Sequence, residues 1–152
     1  MNSGDEYTLV EAPLVRDLET LGWATLDGDP EVPAFTERSS FREVILEKRL
    51  AAALRKINLD DAGHEWLDDE RVRTAINALL RHPAGKLIEV NESVTQLLLE
   101  GTPVDGPEGK RDRTVRFIDF DNAGVPGKDR NDYLLVRQFR VDGREAIIPD
   151  VV

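Results

Sequence analysis

Tyr133-Leu134-Leu135-Val136-Arg137-Gln138-Phe139-Arg140-Val141-Asp142-Gly143-Arg144-Glu145-Ala146-Ile147-Ile148-Pro149-Asp150-Val151-Val152 is the stretch that decides the fold. Tyr133–Val141 has the composition and period of a strand, Asp142-Gly143 is a hairpin signal, and Ala146–Val152 is a further β-type run. Before it, Val115–Phe120 alternates apolar and polar residues, and Asp121-Asn122-Ala123-Gly124 supplies a turn. All these β-type segments lie after Gly101.

Before Gly101 the apolar residues recur at helical spacing. Val10, Leu14, Leu18 and Leu21 predict a helix over Thr8–Leu21, with Thr8 and Glu11 at capping-box spacing and Gly22 as its stop. Pro13 suits a first turn poorly placed for that start, so regular helix is expected to begin later. Trp23–Phe35 reads as loop with a short strand. Ser40 and Glu43 form a second capping-box pattern ahead of a helix over Phe41–Ile57, with Phe41, Val44, Ile45, Leu50, Leu54 and Ile57 as its core stripe. Asp68 caps a third helix, Asp69–Leu80, closed by His82-Pro83. Asn91 caps a fourth, Glu92–Glu100, ended by Gly101. The expected class is therefore α/β in α+β order, helices over 1–100 and then a β-meander with a hairpin over 101–152, in one domain.

Composition narrows the function. The chain has 152 residues, 40% of them hydrophobic, enough for a core, and no apolar stretch long enough for a membrane span. Its start, Met1-Asn2-Ser3-Gly4-Asp5-Glu6, lacks the basic and apolar regions of a signal peptide. With no cysteine, thiolate catalysis and cysteine-based metal sites are excluded, and a reducing cytoplasm is the expected compartment. The net charge of -10 argues against a free-standing nucleic-acid binder. Acid is concentrated early: residues 1–100 carry 11 Lys and Arg against 20 Asp and Glu, whereas residues 101–152 carry 9 against 10. The later basic residues alternate as solvent-facing strand positions. A phosphate-contacting role is the alternative, with Arg137 and Arg140 as the candidates.

Several familiar sites are absent. Gly106–Arg111 and Gly124–Asp129 lack the Walker spacing and the Ser or Thr after lysine, so both read as turns. His64-Glu65 is not followed by the second histidine of a zinc-protease helix, and His64 and His82 read as surface residues. Pro149-Asp150 differs in its setting. It sits inside a β-type run, where a carboxylate without a task is costly. A rigid carboxylate at a strand end is what a magnesium site requires.

In order and spacing, these segments resemble the N-terminal region of the type I restriction enzyme R subunit, a nuclease of the PD-(D/E)xK superfamily. The resemblance is carried by Val10-Glu11 through Leu21-Gly22-Trp23, Phe41–Leu46 running to Arg49-Leu50, Ala53-Leu54 through Ile57-Asn58, and Asn91 through Leu98–Gly101. It is strongest in Ile118-Asp119-Phe120, Asn131-Asp132-Tyr133, Val136–Phe139 and Ile148–Val152. It implies part of a restriction-endonuclease-like core, with Asp150 as catalytic residue and Mg2+ ligand. The family's Glu-x-Lys would fall beyond Val152, so the chain by itself is expected to be an incomplete, inactive nuclease domain. Glu43 is a further candidate metal ligand, against its plainer reading as Ser40's capping partner. Gln138 matches a family position before the motif, structural or near DNA. The whole protein would use ATP in a translocase that this chain lacks, and would cut unmethylated foreign DNA with methyltransferase and specificity subunits. The competing expectation is a non-catalytic domain whose acidic helices dock on those subunits. An acidic DNA mimic is a third.

Overall fold

The computed structural model describes residues 7–81 and 85–152, with side chains from Leu9 onward. It divides into two compact units. One comprises residues up to Leu46 together with Asp132–Val152, and the other is Glu47–Asn131. Among the described residues there are four α-helices and six short strands, so the mixed α/β class holds.

The Glu47–Asn131 unit contains α2 (Glu47–Ile57), α3 (Asp69–Leu80), α4 (Leu87–Glu100), β2 (Thr102–Val104) and β3 (Arg113–Val115). Its core joins Leu54 and Leu67 to Val72, Ala75 and Ile76 of α3, and to Val104, Val115 and Phe117. α3 has the predicted bounds because Asp68 accepts a hydrogen bond from the Arg71 N–H at 2.9 Å, which satisfies one of the free donors of its first turn. The predicted closure at His82-Pro83 lies outside the described residues. The Arg71 guanidinium donates to the carbonyls of Asp105 (2.6 Å) and Gly106 (2.9 Å), tying the loop after β2 to α3. β2 and β3 pair antiparallel, with Thr102 opposite Val115. Asn58, buried at the end of α2, donates to the carbonyls of Leu54 and Arg116 and accepts from the Arg116 N–H.

Two expectations within this unit are corrected. α4 starts at Leu87, five residues before the predicted Glu92: the Glu89 carboxylate accepts from the Lys86 N–H at 3.2 Å in the first turn, and Asn91, the expected cap, is interior. Its end at Gly101 is as predicted, at a φ of 82° that glycine readily adopts. The strand expected over Val115–Phe120 is Arg113–Val115 instead, and the chain then bends. Asn58 takes the Arg116 main chain, while Asp119 accepts from both amides of Asn122 and its N–H donates to Asn131, so these backbone groups serve turns, not a ladder. Gly106–Arg111 and Gly124–Asp129 form turns as expected.

The other unit contains α1 (Ala12–Thr20), β1 (Ala24–Asp27), β4 (Leu134–Arg137), β5 (Val141–Asp142) and β6 (Ala146–Ile147). A π-turn at Tyr7–Glu11 precedes α1, whose first turn takes Pro13. Glu11, its N-cap, makes no side-chain cap, and the Thr8 side chain lies outside the described residues. Regular helix thus begins later than Thr8, and Gly22, at a φ of 90°, ends it. β1 lies in the loop where a short strand was expected. It pairs parallel with β4, Ala24 opposite Leu134 through Asp27 opposite Arg137. Among the described residues the strands therefore do not form a meander of chain neighbours: β4 pairs with β1, while β2–β3 and β5–β6 pair with their sequence neighbours. Beyond β1, Gly28 donates to the Arg137 carbonyl at 2.8 Å, and a Cβ there would lie 2.4 Å from the Gln138 carbonyl oxygen.

The largest correction is at residues 41–46. The predicted helix over Phe41–Ile57 begins only at Glu47. Phe41 is withdrawn from it: its carbonyl accepts from the Asp142 N–H (3.0 Å), and the guanidinium groups of Arg38 (5.7 Å) and Arg140 (4.7 Å) lie over its ring. The Glu43 carboxylate accepts from the N–H and hydroxyl of Ser39, a turn in place of the Ser40 capping box.

Candidate functional site

The last residues anneal to β4. The N–H and carbonyl of Val136 exchange hydrogen bonds with those of Val152, Arg137 bridges Val151, and the Gln138 N–H donates to the Asp150 carbonyl at 3.0 Å. This antiparallel register follows from the apolar run after Pro149 pairing with the free side of β4. It places the exposed Asp150 carboxylate at the strand end, beside Gln138. The Gln138 side-chain amide donates to Asp150 Oδ1 at 3.1 Å. Gln138 itself adopts a left-handed φ of 52°, costly for a residue with a side chain and typical of sites where geometry matters more than local stability.

The remaining sequence candidates lie in the same unit. Glu43 is half-buried, its carboxylate held by Ser39 and its carbonyl by Arg38 Nη1 at 2.8 Å. Arg137 pairs with Asp27 (2.9 Å) and, more distantly, with Glu11 (3.8 Å). Arg140 forks onto Asp142 (2.8 and 3.3 Å) and donates to the Pro30 carbonyl. Both arginines thus have intramolecular carboxylate partners. His64 is exposed, while His82 lies outside the described residues.

Sequence reasoning missed Arg38. It is 3% exposed, bonded through Nε to Thr36 (2.8 Å) and stacked 3.7 Å from the centre of the Phe139 ring. Burial lowers its pKa against the opposing pull of Glu43. The only signal available was an arginine ahead of a Ser-Ser-Phe turn, which is too common to single out.

For a hard divalent cation the donor chemistry is suitable but incomplete. Magnesium binds through one or two carboxylates and keeps several waters, and Asp150 offers one exposed carboxylate whose Oδ1 already has a donor. No group of three or more His, Asp or Glu able to hold a metal occurs among the described residues. No helix among them is long and apolar enough to cross a membrane.

Comparison with known proteins identifies the family. Residues 4–152 match the family described as the type I restriction enzyme R protein N terminus. A relative from Methanocaldococcus jannaschii, described as "Putative type I restriction enzyme MjaIXP endonuclease subunit", is 26% identical over 140 residues, covering 91% of this chain. The chain spans 12% of that relative's length. No solved structure matches the chain at a significant level. With a match over nearly its entire length, the chain belongs to the family of type I restriction enzyme R protein N termini.

Proposed function

We propose that this domain contributes the first carboxylate arm of a Mg2+-dependent nuclease that cuts DNA in a type I restriction system. The observation that carries this reading is the annealing of Pro149–Val152 to β4, which holds Asp150 at a strand end against Gln138. Asp150 binds the cation, and Gln138 orients it by donating to Oδ1. The cation, when bound, supplies an activated water and neutralises charge developing on the phosphate. Glu43 is a second acidic group of the same unit available to the site. Arg137 and Arg140 contribute positive potential for DNA through side chains already ordered by carboxylates. In the whole protein, ATP-driven translocation and the methyltransferase and specificity subunits would select unmethylated foreign DNA, in the cytoplasm.

In the nuclease superfamily that the chain resembles, phosphodiester hydrolysis uses a cation, acidic ligands and a lysine held in one place. The 152-residue chain is therefore expected to leave supercoiled plasmid intact in magnesium. Cutting that Asp150→Ala abolishes would overturn the view that further groups are required. Cation binding is tested separately, by paramagnetic broadening of the Asp150 and Gln138 amide resonances with Mn2+. Asp150→Asn should remove the broadening, and its absence in the parent chain would refute the assignment.

A second reading, docking on other subunits, draws on α4. That helix has no fully buried residue, and it exposes Leu87, Ile88 and Leu99. Pull-down with a methyltransferase–specificity complex, lost when these three residues are replaced by serine, would favour docking.

A further inference from the structure

Four side chains of one unit stack in alternation, with Phe139 against Arg38, Arg38 against Phe41, and Phe41 against Arg140. Arg38 is the member that reaches both candidate acidic segments. Its Nη1 holds the Glu43 carbonyl, and its face covers the ring of the residue that follows Gln138. Phe139 in turn donates its N–H to the Pro149 carbonyl at 3.2 Å, one residue before Asp150. A buried guanidinium in this position is an expensive choice. Its Nη2 is buried and finds no acceptor among the described residues, and an apolar residue of similar volume would fill the space at lower cost. Such a local sacrifice is characteristic of sites maintained for function.

We propose that Arg38 is a positioning residue, clamping Phe139 and the Glu43 carbonyl so that Gln138 keeps its left-handed conformation and presents its amide to Asp150. The inference rests on the reading of Asp150 as a cation ligand and adds the residue that sets its orientation. The cation-π face and the fixed hydrogen-bond fork are properties of arginine that methionine lacks and lysine reproduces only in part.

The test uses the 15N-labelled 152-residue chain, with Mn2+ as the probe. In Arg38→Met the Gln138 side-chain amide resonance should shift, and the Mn2+ midpoint at Asp150 should weaken about tenfold, the usual effect of removing a residue that orients a ligand. Amides of residues 47–131 should stay in place. Arg38→Lys should fall between parent and Arg38→Met. Phe139→Leu should match Arg38→Met, and the double variant should be no worse than either, because both remove one clamp. Unchanged Gln138 resonance and midpoint in Arg38→Met overturn the proposal, as do fully additive effects. If Arg38→Met unfolds its unit, Phe139→Leu decides by the same two readouts. If the parent chain shows no broadening by Mn2+, the cation reading fails by itself. The Gln138 resonance then decides the clamp alone, a shift supporting it and no shift overturning it.

Discussion

Asn58 uses both ends of its side-chain amide, donating to Leu54 and Arg116 carbonyls and accepting from the Arg116 N–H, while being only 8% exposed. Asn58→Ala removes the partner of both Arg116 main-chain groups, in a part-buried place. The expected loss is about 2–3 kcal/mol, read from urea unfolding of the parent and variant. Asp60 offers a pH test. Hydrogen bonds from the His64 and Ala62 N–H groups hold its carboxyl below the ordinary carboxylate range, against the raising effect of desolvation. The folded chain therefore releases this proton more readily than the unfolded chain. The stabilisation is full above about pH 4, the ordinary carboxylate value, and is lost as pH falls below it. Thermal melts across that window should show a steeper decline in the parent than in Asp60→Asn. Neither residue stood out in the sequence: Asn58 was legible only as part of a family segment, because its partner lies 58 positions away.

Among the elements, those ended by local chemistry were legible and those shaped by distant partners were not. Asp68 and the Arg71 N–H are three residues apart, so α3 could be read to the residue. Gly22 and Gly101 likewise announced their helix ends. The Ser40–Glu43 pattern misled because Phe41 is held by Arg38, Arg140 and Asp142, and the last two lie some hundred residues downstream. Tertiary contacts overrode a helix-start signal worth only about 1 kcal/mol. β1 was seen as a short strand, but its parallel partner was invisible, since parallel pairing has no connecting turn to read. Gly28 lies in the loop, as its neighbours suggested, and extends this pairing by one hydrogen bond to the Arg137 carbonyl. In Gly28→Ala the new Cβ meets the main-chain oxygens of Gln138 (2.4 Å) and Arg137 (2.7 Å), which cannot swing aside as a flexible side chain would. The expected loss is about 3 kcal/mol. Hydrogen exchange should place the damage at β1 and β4, with β2 and β3 unaffected. Uniform loss of protection, or none, would contradict the local role.

On the scale of the whole molecule, the mixed class and the placement of Asp150 in a paired segment could be read from pattern and resemblance. The two-unit organisation could not. The first unit draws on both ends of the chain, joined by a pairing of Ala24 with Leu134, and no linker composition marks where Glu47–Asn131 begins or ends. That second unit owns a complete core: Leu54, Leu67, Val72, Ala75, Ile76, Val104, Val115 and Phe117 all lie inside it. A segment of this length is sufficient for independent folding. Residues 47–131 produced alone should therefore melt cooperatively and keep a fixed near-ultraviolet signal from Trp66, which packs on that core beneath Arg113. Leu54→Ala, at a fully buried position, should lower the stability of this fragment by about 3–4 kcal/mol. The same substitution in the 152-residue chain should leave the β1 and β4 amides at their original exchange rates, provided the two units unfold separately. A fragment that binds hydrophobic dye and melts without cooperativity would show instead that the core depends on the chain ends that enclose it in sequence.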